Sequence, residues 1–289
     1  MNGDEEGKDE QGKGDGNPNQ ARSARGSRGG RYSRAFDRGL QVVACFTAER
    51  PELGVREVAG MLEMSPTATH RYLSALASQG YLEQEPASSK YRLSLGAIDL
   101  GMAALSATGL CMHARPYIEE LARRTGFTVQ IGVLDGPEVL LVAALAGKRR
   151  DQREPGCDAR VGARLPAYCT SLGKVLLAYL PAERRGALVS DMELKRYRPG
   201  TVTSEPDLRA VLARVLEDGS ASSEEELAAG ACAIAAPVRD ESGDVIAAVN
   251  VVAQHGVVEC SELVRWCEGE LLATAERIST RLGWQGAGQ

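Results

Sequence analysis

The chain is poor in the groups on which most catalysis and metal binding depend. It has three histidines in 289 residues, and aromatic residues make up 4%. His113 and His255 stand in no motif, and Cys169 has no evident base beside it, so no nucleophile–base pair is legible. The seven cysteines (Cys45, Cys111, Cys157, Cys169, Cys232, Cys260, Cys267) are odd in number, scattered, and form no C-x-x-C pair. That spacing excludes the usual zinc patterns and a disulfide framework. They read as small core residues or free thiols of a reducing compartment, with a redox-sensing thiol as the competing role. No apolar run approaches the ~18–20 residues of a membrane span, and the charged N-terminus lacks the apolar stretch of a secretory signal. A cytoplasmic protein without cofactor or metal is expected. What is present is a globular balance, 43% hydrophobic and 25% charged, long enough for two domains.

Positive charge is also short overall, since the net charge is −5. Its distribution is uneven. Residues 1–20 hold six acids against two lysines, whereas residues 21–34 hold Arg22, Arg25, Arg28, Arg31 and Arg34 and no acid. Residues 1–30 are Gly-, Asn- and Ser-rich without apolar periodicity, so they are expected to be disordered. Their arginine half would suit a flexible arm on DNA phosphates or in a minor groove, or serve only as a solubilising tail.

The basic run leads into the most informative stretch, Val55 to Leu93. Val55, Val58, Ala59 and Leu62 line one face of a short helix. Thr69, Tyr72, Leu73, Leu76 and Ala77 line a second, opened by Ser65 and Pro66 as N-cap and first-turn proline and closed by Gly80. About three residues separate the two, which fits a crossed helix-turn-helix. Tyr81-Leu82 and Tyr91-Arg92-Leu93 flank a turn-rich loop, Glu85 to Lys90, which reads as a wing. Short, polar or basic groups near the start of the second helix are what a major-groove reader needs. Ser65, Thr67, Thr69, His70, Arg71 and Ser74 are therefore the candidate contacts of the helix to double-stranded DNA, and Lys90 and Arg92 those of the wing. The competing reading makes His70 and Arg71 ordinary solvated helix residues.

Around this core, Phe36, Leu40, Val43 and Phe46 predict a support helix. Ser94 to Gly109 is too apolar for a free linker and reads as a helix joining two domains, either packed on a second subunit or buried within one. Pro116 is expected to open a further helix ending at Gly126. Phe127–Leu134 and Val139–Leu145 predict a hairpin across Asp135-Gly136-Pro137, and Ile234–Val238 and Val245–Val252 a second one. Lys148 to Asp158 reads as a loop, Arg160–Ala163 as a short strand, and Ser171–Tyr179 and Asp207–Leu216 as helices. Leu263, Cys267, Leu271, Thr274, Ile278 and Leu282 mark a long terminal helix. Hairpins between helices predict an α+β domain on an antiparallel sheet. The expected division is 1–30 tail, 31–95 winged helix-turn-helix, 96–112 linker helix and 113–285 effector-binding and oligomerisation domain.

The blocks RGLQVVACF, LGVREVAGMLEMSPTATHRYLSALASQGYLEQ, KYRLSLGAIDLG, RLPAYCTSLGKVLLAYLP and IAAPVRDESGDVIAAVNV, in that order and spacing, resemble the IclR family of bacterial transcriptional regulators over residues 33–283. Residues 165–174 with Val249-Asn250-Val251 look most like the branch that answers to protocatechuate, p-hydroxybenzoate or β-ketoadipate-type compounds. The resemblance implies a winged helix, a linker helix and a GAF-like effector domain, assembled as a homodimer or homotetramer. It implies a small-molecule effector held near Tyr168, Thr170, Ser171, Leu172, Ser223, Glu226 and Cys232. Read on their own, Ser171 and Leu172 offer free helix N–H groups to a carboxylate. Thr170 and Ser171 can equally be mere caps, and Glu224-Glu225-Glu226 the solvated start of a helix. An aromatic and an arginine common in the family before the last hairpin are missing here, where Gly230-Ala231-Cys232 stands. That keeps open a constitutive DNA binder whose C-terminal domain only oligomerises, beside a ligand-responsive regulator. An enzyme acting on a small carboxylate is the remaining class.

Overall fold

The computed structural model describes residues 34–47, 50–107, 109–148, 160–254 and 258–286. Most of the arginine-rich tail, most of the Lys148–Asp158 loop and His255 lie outside the described residues. The chain divides into two compact units between Met102 and Ala103.

The first unit is a winged helix. Its elements are α1 (Arg34–Val43), β1 (Glu52–Leu53), α2 (Val55–Leu62), α3 (Pro66–Ser78), β2 (Leu82–Gln84), β3 (Tyr91–Leu93) and the first half of α4 (Leu95–Ala107). The Glu57 carboxylate accepts the Gly54 N–H at 2.7 Å and so fixes the start of α2. Glu63 ends α2 in the left-handed region, at φ 51°, and turns the chain at once into Ser65. Ser65 Oγ accepts the Ala68 N–H at 3.2 Å, with Pro66 at the first helical position. Val42, Cys45, Phe46, Leu53, Val58, Leu73, Leu82 and Tyr91 make the core. The three strands pair in the order β1-β3-β2, all antiparallel; the two-residue β1 has too little pattern to be read in advance.

One expectation fails here. Phe36 and Leu40, placed on the core stripe of α1, are 70% and 56% exposed, while Val42 is fully buried. The helix ends at Val43, so Cys45 and Phe46 enter the core from a turn and shift the buried face. On α4, Leu95, Ile98, Leu100 and Met102 are also exposed. The root of α4 is nonetheless fixed to the end of α3: Ser94 Oγ donates to the Gly80 carbonyl, and a Cβ at Gly96 would stand 2.4 Å from that same oxygen.

The second unit is α+β. After α5 (Leu110–Thr125) come β4 (Thr128–Asp135), β5 (Glu138–Leu145), β6 (Arg164–Pro166), α6 (Ser171–Ala178), α7 (Ala182–Ser190) and α8 (Glu205–Asp218). β7 (Ala221–Glu224), β8 (Ala231–Arg239), β9 (Val245–Gln254) and α9 (Cys260–Arg281) complete it. The six strands form one antiparallel sheet in the order β6-β5-β4-β9-β8-β7. One face carries α5 and α9, packed on Val129, Ile131, Ile234, Ala236, Val249 and Val251. The opposite face carries α6 and, behind it, α8, around Val139, Leu141, Ala235 and Ala248.

Several boundaries move. Pro116 lies inside α5 rather than at its start; burial of Leu110, Ala114, Ile118 and Leu121 outweighs the one backbone bond a proline removes. Residues 160–163 form a turn, and the short strand is Arg164–Pro166. Ser223 and Glu224 belong to an edge strand, not to a helix start: β7 pairs with β8 alone and has too little apolar alternation to read as a strand.

Candidate functional site

On α3 the two faces separate cleanly. Thr69 and Leu73 are fully buried, and Thr69 Oγ1 donates back to the Ser65 carbonyl at 3.1 Å. Thr69 is therefore a packing residue and is withdrawn as a DNA contact; its place on the apolar stripe decided its fate. Ser65, Thr67, His70 and Arg71 are exposed and Ser74 half-buried, so they share the outer face. His70 Nε2 and Ser74 Oγ lie 3.5 Å apart. Arg71 makes no hydrogen bond or ion pair with another described residue, and the first turn of α3 holds no acid, so its N-terminal dipole is open to phosphate.

The wing cations are differently placed. Lys90 Nζ stands 3.5 Å from Glu57 Oε2, and Arg92 Nε donates to Glu83 Oε1 at 2.6 Å with Glu52 at 4.0 Å. The Gly54 N–H, and less strongly Lys90, holds the Glu57 carboxyl below its ordinary range. A phosphate approaching Lys90 or Arg92 must compete with carboxylates already there. These pairs are exposed and weak.

In the second unit, a cavity of about 70 Å³ opens between the start of α6, the inner face of the sheet and the β7–β8 connection. That exceeds the ~10–15 Å³ one ordered water needs. Thr170 caps α6: its Oγ1 accepts the Gly173 N–H at 3.3 Å and donates to the Pro166 carbonyl at 2.9 Å. The Lys174 N–H goes to the Thr170 carbonyl at 2.9 Å. The amides of Ser171 and Leu172 have no intrahelical acceptor, and both residues line the cavity. A side chain at Gly173 would put its Cβ 2.1 Å from the Ala167 carbonyl, so only glycine lets the helix start press this closely on the chain before it.

Thr170, Ser171, Leu172, Ser223 and Glu226 all line the cavity. Tyr168 does not: its hydroxyl donates to the Lys195 carbonyl at 2.7 Å, its ring stacks near Tyr197, and burial pushes its phenol above the ordinary range. Cys232 does not either. It belongs to the α5/α9 side of the sheet, whereas its neighbours Ala231 and Ala233 line the cavity. The strand period of two decides this.

Four groups escaped the sequence reading. Gln130 on β4 and Asn250 on β9 face each other in register, are 3% and 4% exposed, and line the cavity. Their signal was an isolated amide within an aliphatic strand. Lys174 is buried behind the wall, where Nζ donates to the Ser222 carbonyl at 3.0 Å and pairs with Glu226 Oε1. Cys169 also lines the cavity, and burial pushes its thiol up to about 12, which keeps it neutral and non-nucleophilic near neutral pH.

Among the described residues, four buried side-chain polar atoms lack a hydrogen-bond partner: Ser171 Oγ, Glu226 Oε2, Asn250 Oδ1 and Arg198 Nε. The first three belong to residues lining this one cavity. Buried polar groups are nearly always satisfied, so this cluster leaves hydrogen bonds to be made by water or by a bound molecule. Among the described residues, no group of three His, Cys, Asp or Glu residues is able to hold a metal, and no helix is long and apolar enough to cross a membrane.

A winged helix with an open recognition face, followed by an α+β domain with a cavity that holds a few unpartnered polar groups, defines the class of two-part DNA-binding regulators. The comparisons narrow this. Residues 35–86 match the IclR helix-turn-helix domain and residues 102–280 the bacterial transcriptional regulator IclR C-terminal domain. The chain belongs to the IclR family of DNA-binding transcriptional regulators. It is 30% identical to the HTH-type transcriptional regulator XynR of Escherichia coli over 86% of this chain and 97% of that protein. It is 31% identical to the Pca regulon regulatory protein of Pseudomonas putida over 87% and 84% respectively. An IclR homologue from Microbacterium hydrocarbonoxydans, crystallised with 4-hydroxybenzoate, superposes with a TM-score of 0.76 at 29% identity, covering 86% of this chain and 98% of that one.

Proposed function

We propose that this chain controls a catabolic operon by binding duplex DNA as a homodimer or dimer of dimers, with DNA affinity set by a small carboxylate in the cavity. The observation that carries the effector half is the gathering of Ser171 Oγ, Glu226 Oε2 and Asn250 Oδ1 beside the free amides of α6. The Microbacterium homologue bound to 4-hydroxybenzoate and the Pseudomonas Pca regulator support an aromatic acid as its chemistry. The arginine missing at position 232 is no argument for a purely constitutive binder, because that side chain faces the helix layer.

The DNA half rests on Thr67, His70, Arg71 and Ser74, with Ser65 anchoring the helix and Lys90 and Arg92 reaching phosphate. One recognition helix reads few base pairs, so two half-sites ~34–36 Å apart are needed, which requires two copies. Exposed Phe36 and Leu40 on α1 and Leu95, Ile98 and Met102 on α4 supply apolar surface for that pairing. The assembly works in the cytoplasm on a reduced-thiol chain.

The test is fluorescence anisotropy on duplex DNA from the protein's own upstream region, with and without 4-hydroxybenzoate and 3,4-dihydroxybenzoate. Specific binding is expected, shifted by one of the acids. Arg71→Ala is expected to weaken it by about 1–3 kcal/mol and to relax specificity at one base position. Affinity no higher than for random duplex at ~150 mM salt would remove the DNA half. Unchanged affinity and unchanged melting temperature across the acids would remove the effector half.

A further inference from the structure

Resting on the effector reading above, we infer that Glu226, held by Lys174, restricts the cavity to singly charged hydroxy-acids and shuts out dicarboxylates. Glu226 is the one charged residue among those lining the cavity. It is 9% exposed, and only one of its oxygens is used: Oε1 meets Lys174 Nζ while Oε2 has no partner. Thr201 Oγ1 holds its backbone carbonyl at 2.6 Å and Lys174 holds its Oε1, so backbone and carboxylate are each anchored by a buried partner.

Lys174 pairs with Glu226 Oε1 from behind but is not itself a wall of the cavity, which leaves Oε2 as the end of the carboxylate without a partner. An incoming anion therefore meets no cation. It meets the start of α6, where the amides of Ser171 and Leu172, the Ser171 hydroxyl and a helix-terminal charge of roughly +0.5 can accommodate one carboxylate. The remaining unpartnered atoms, Glu226 Oε2 and Asn250 Oδ1, are acceptors. They call for a hydrogen-bond donor on the ligand. A hydroxyl supplies it, whereas a second carboxylate would place an anion against Glu226 and leave Asn250 Oδ1 unsatisfied.

The experiment is calorimetric titration of the full chain with matched acids at two sizes: glycolate against oxalate, and 4-hydroxybenzoate against terephthalate. In each pair that binds, the hydroxy-acid is expected to bind at least about tenfold more tightly, from the ~332/εr repulsion of two anions at an effective dielectric near 20. Glu226→Gln with Lys174→Met, which removes both charges together, is expected to erase that preference while the monoacid still binds. Equal or tighter binding of a diacid by the unsubstituted chain would overturn the charge selection and leave the effector reading standing. A preference that persists in the double variant would overturn the assignment to Glu226. Binding of none of the four acids would overturn the proposal together with the effector reading for this cavity.

Discussion

The six strands of the second unit show two faces made from the same residues in alternation, and the faces differ in kind. Toward α5 and α9 stand Val129, Ile131, Ile234, Val249 and Val251, all aliphatic and all buried. Toward α6 stand Val139 and Leu141 but also Gln130, Asn250 and a row of small residues, Ala231, Ala233, Ala235 and Ala248. The first face is finished by the chain itself. The second leaves polar atoms without partners. Alternation thus divides one sheet into a face closed by aliphatic packing and a face that keeps unpartnered polar atoms.

The largest test of that contrast is Lys174→Met. It would strand the Glu226 carboxylate in the interior and is expected to cost about 3–5 kcal/mol in urea unfolding. A neutral result would mean that Glu226 is not dependent on Lys174. Next comes Ile131→Ala on the closed face, expected to cost about 2–5 kcal/mol, with the ligand preference of the remaining folded protein unchanged. A change in ligand selectivity there would break the separation of the faces.

A smaller effect is expected from pH. Burial raises the Cys169 thiol from 9.0 to about 12. The folded state therefore retains its proton longer than the unfolded chain. The neutral thiol's contribution is complete below pH 9 and is lost as pH rises toward about 12. Cys169→Ala should flatten the fall in melting temperature across that window; an unaltered slope would refute the assignment. The smallest change is Asn250→Ala. Removing an acceptor that lacks a partner should alter stability by less than about 0.5 kcal/mol, while effector affinity falls. A stability loss as large as that of Ile131→Ala would mean Asn250 serves the fold.

Where periodicity and burial coincide, the fold was legible. Val58, Leu73, Leu263, Leu271 and Ile278 were placed on core faces and are buried. It was illegible where burial depends on chain beyond a helix end. Phe36 and Leu40 carry the right spacing yet remain exposed, because Cys45 and Phe46 enter the core from the turn after α1. The cavity was half legible. Thr170, Ser171 and Leu172 follow from a helix start, but Gln130 and Asn250 come together only when β4 and β9 pair in register across more than a hundred residues. The run of acids by itself reads as solvated, and it is the family resemblance that puts Glu226 among the effector contacts; its burial involves Lys174, 52 residues earlier in the chain.

Gly80, Ser94 and Gly96 have a mechanical meaning. The hydroxyl and the absent side chain lock the root of α4 against the end of the recognition helix without room for slip. Within the first unit, α3 and the start of α4 then behave as a crank and its shaft. Even an alanine at position 96 would have to prise that joint apart.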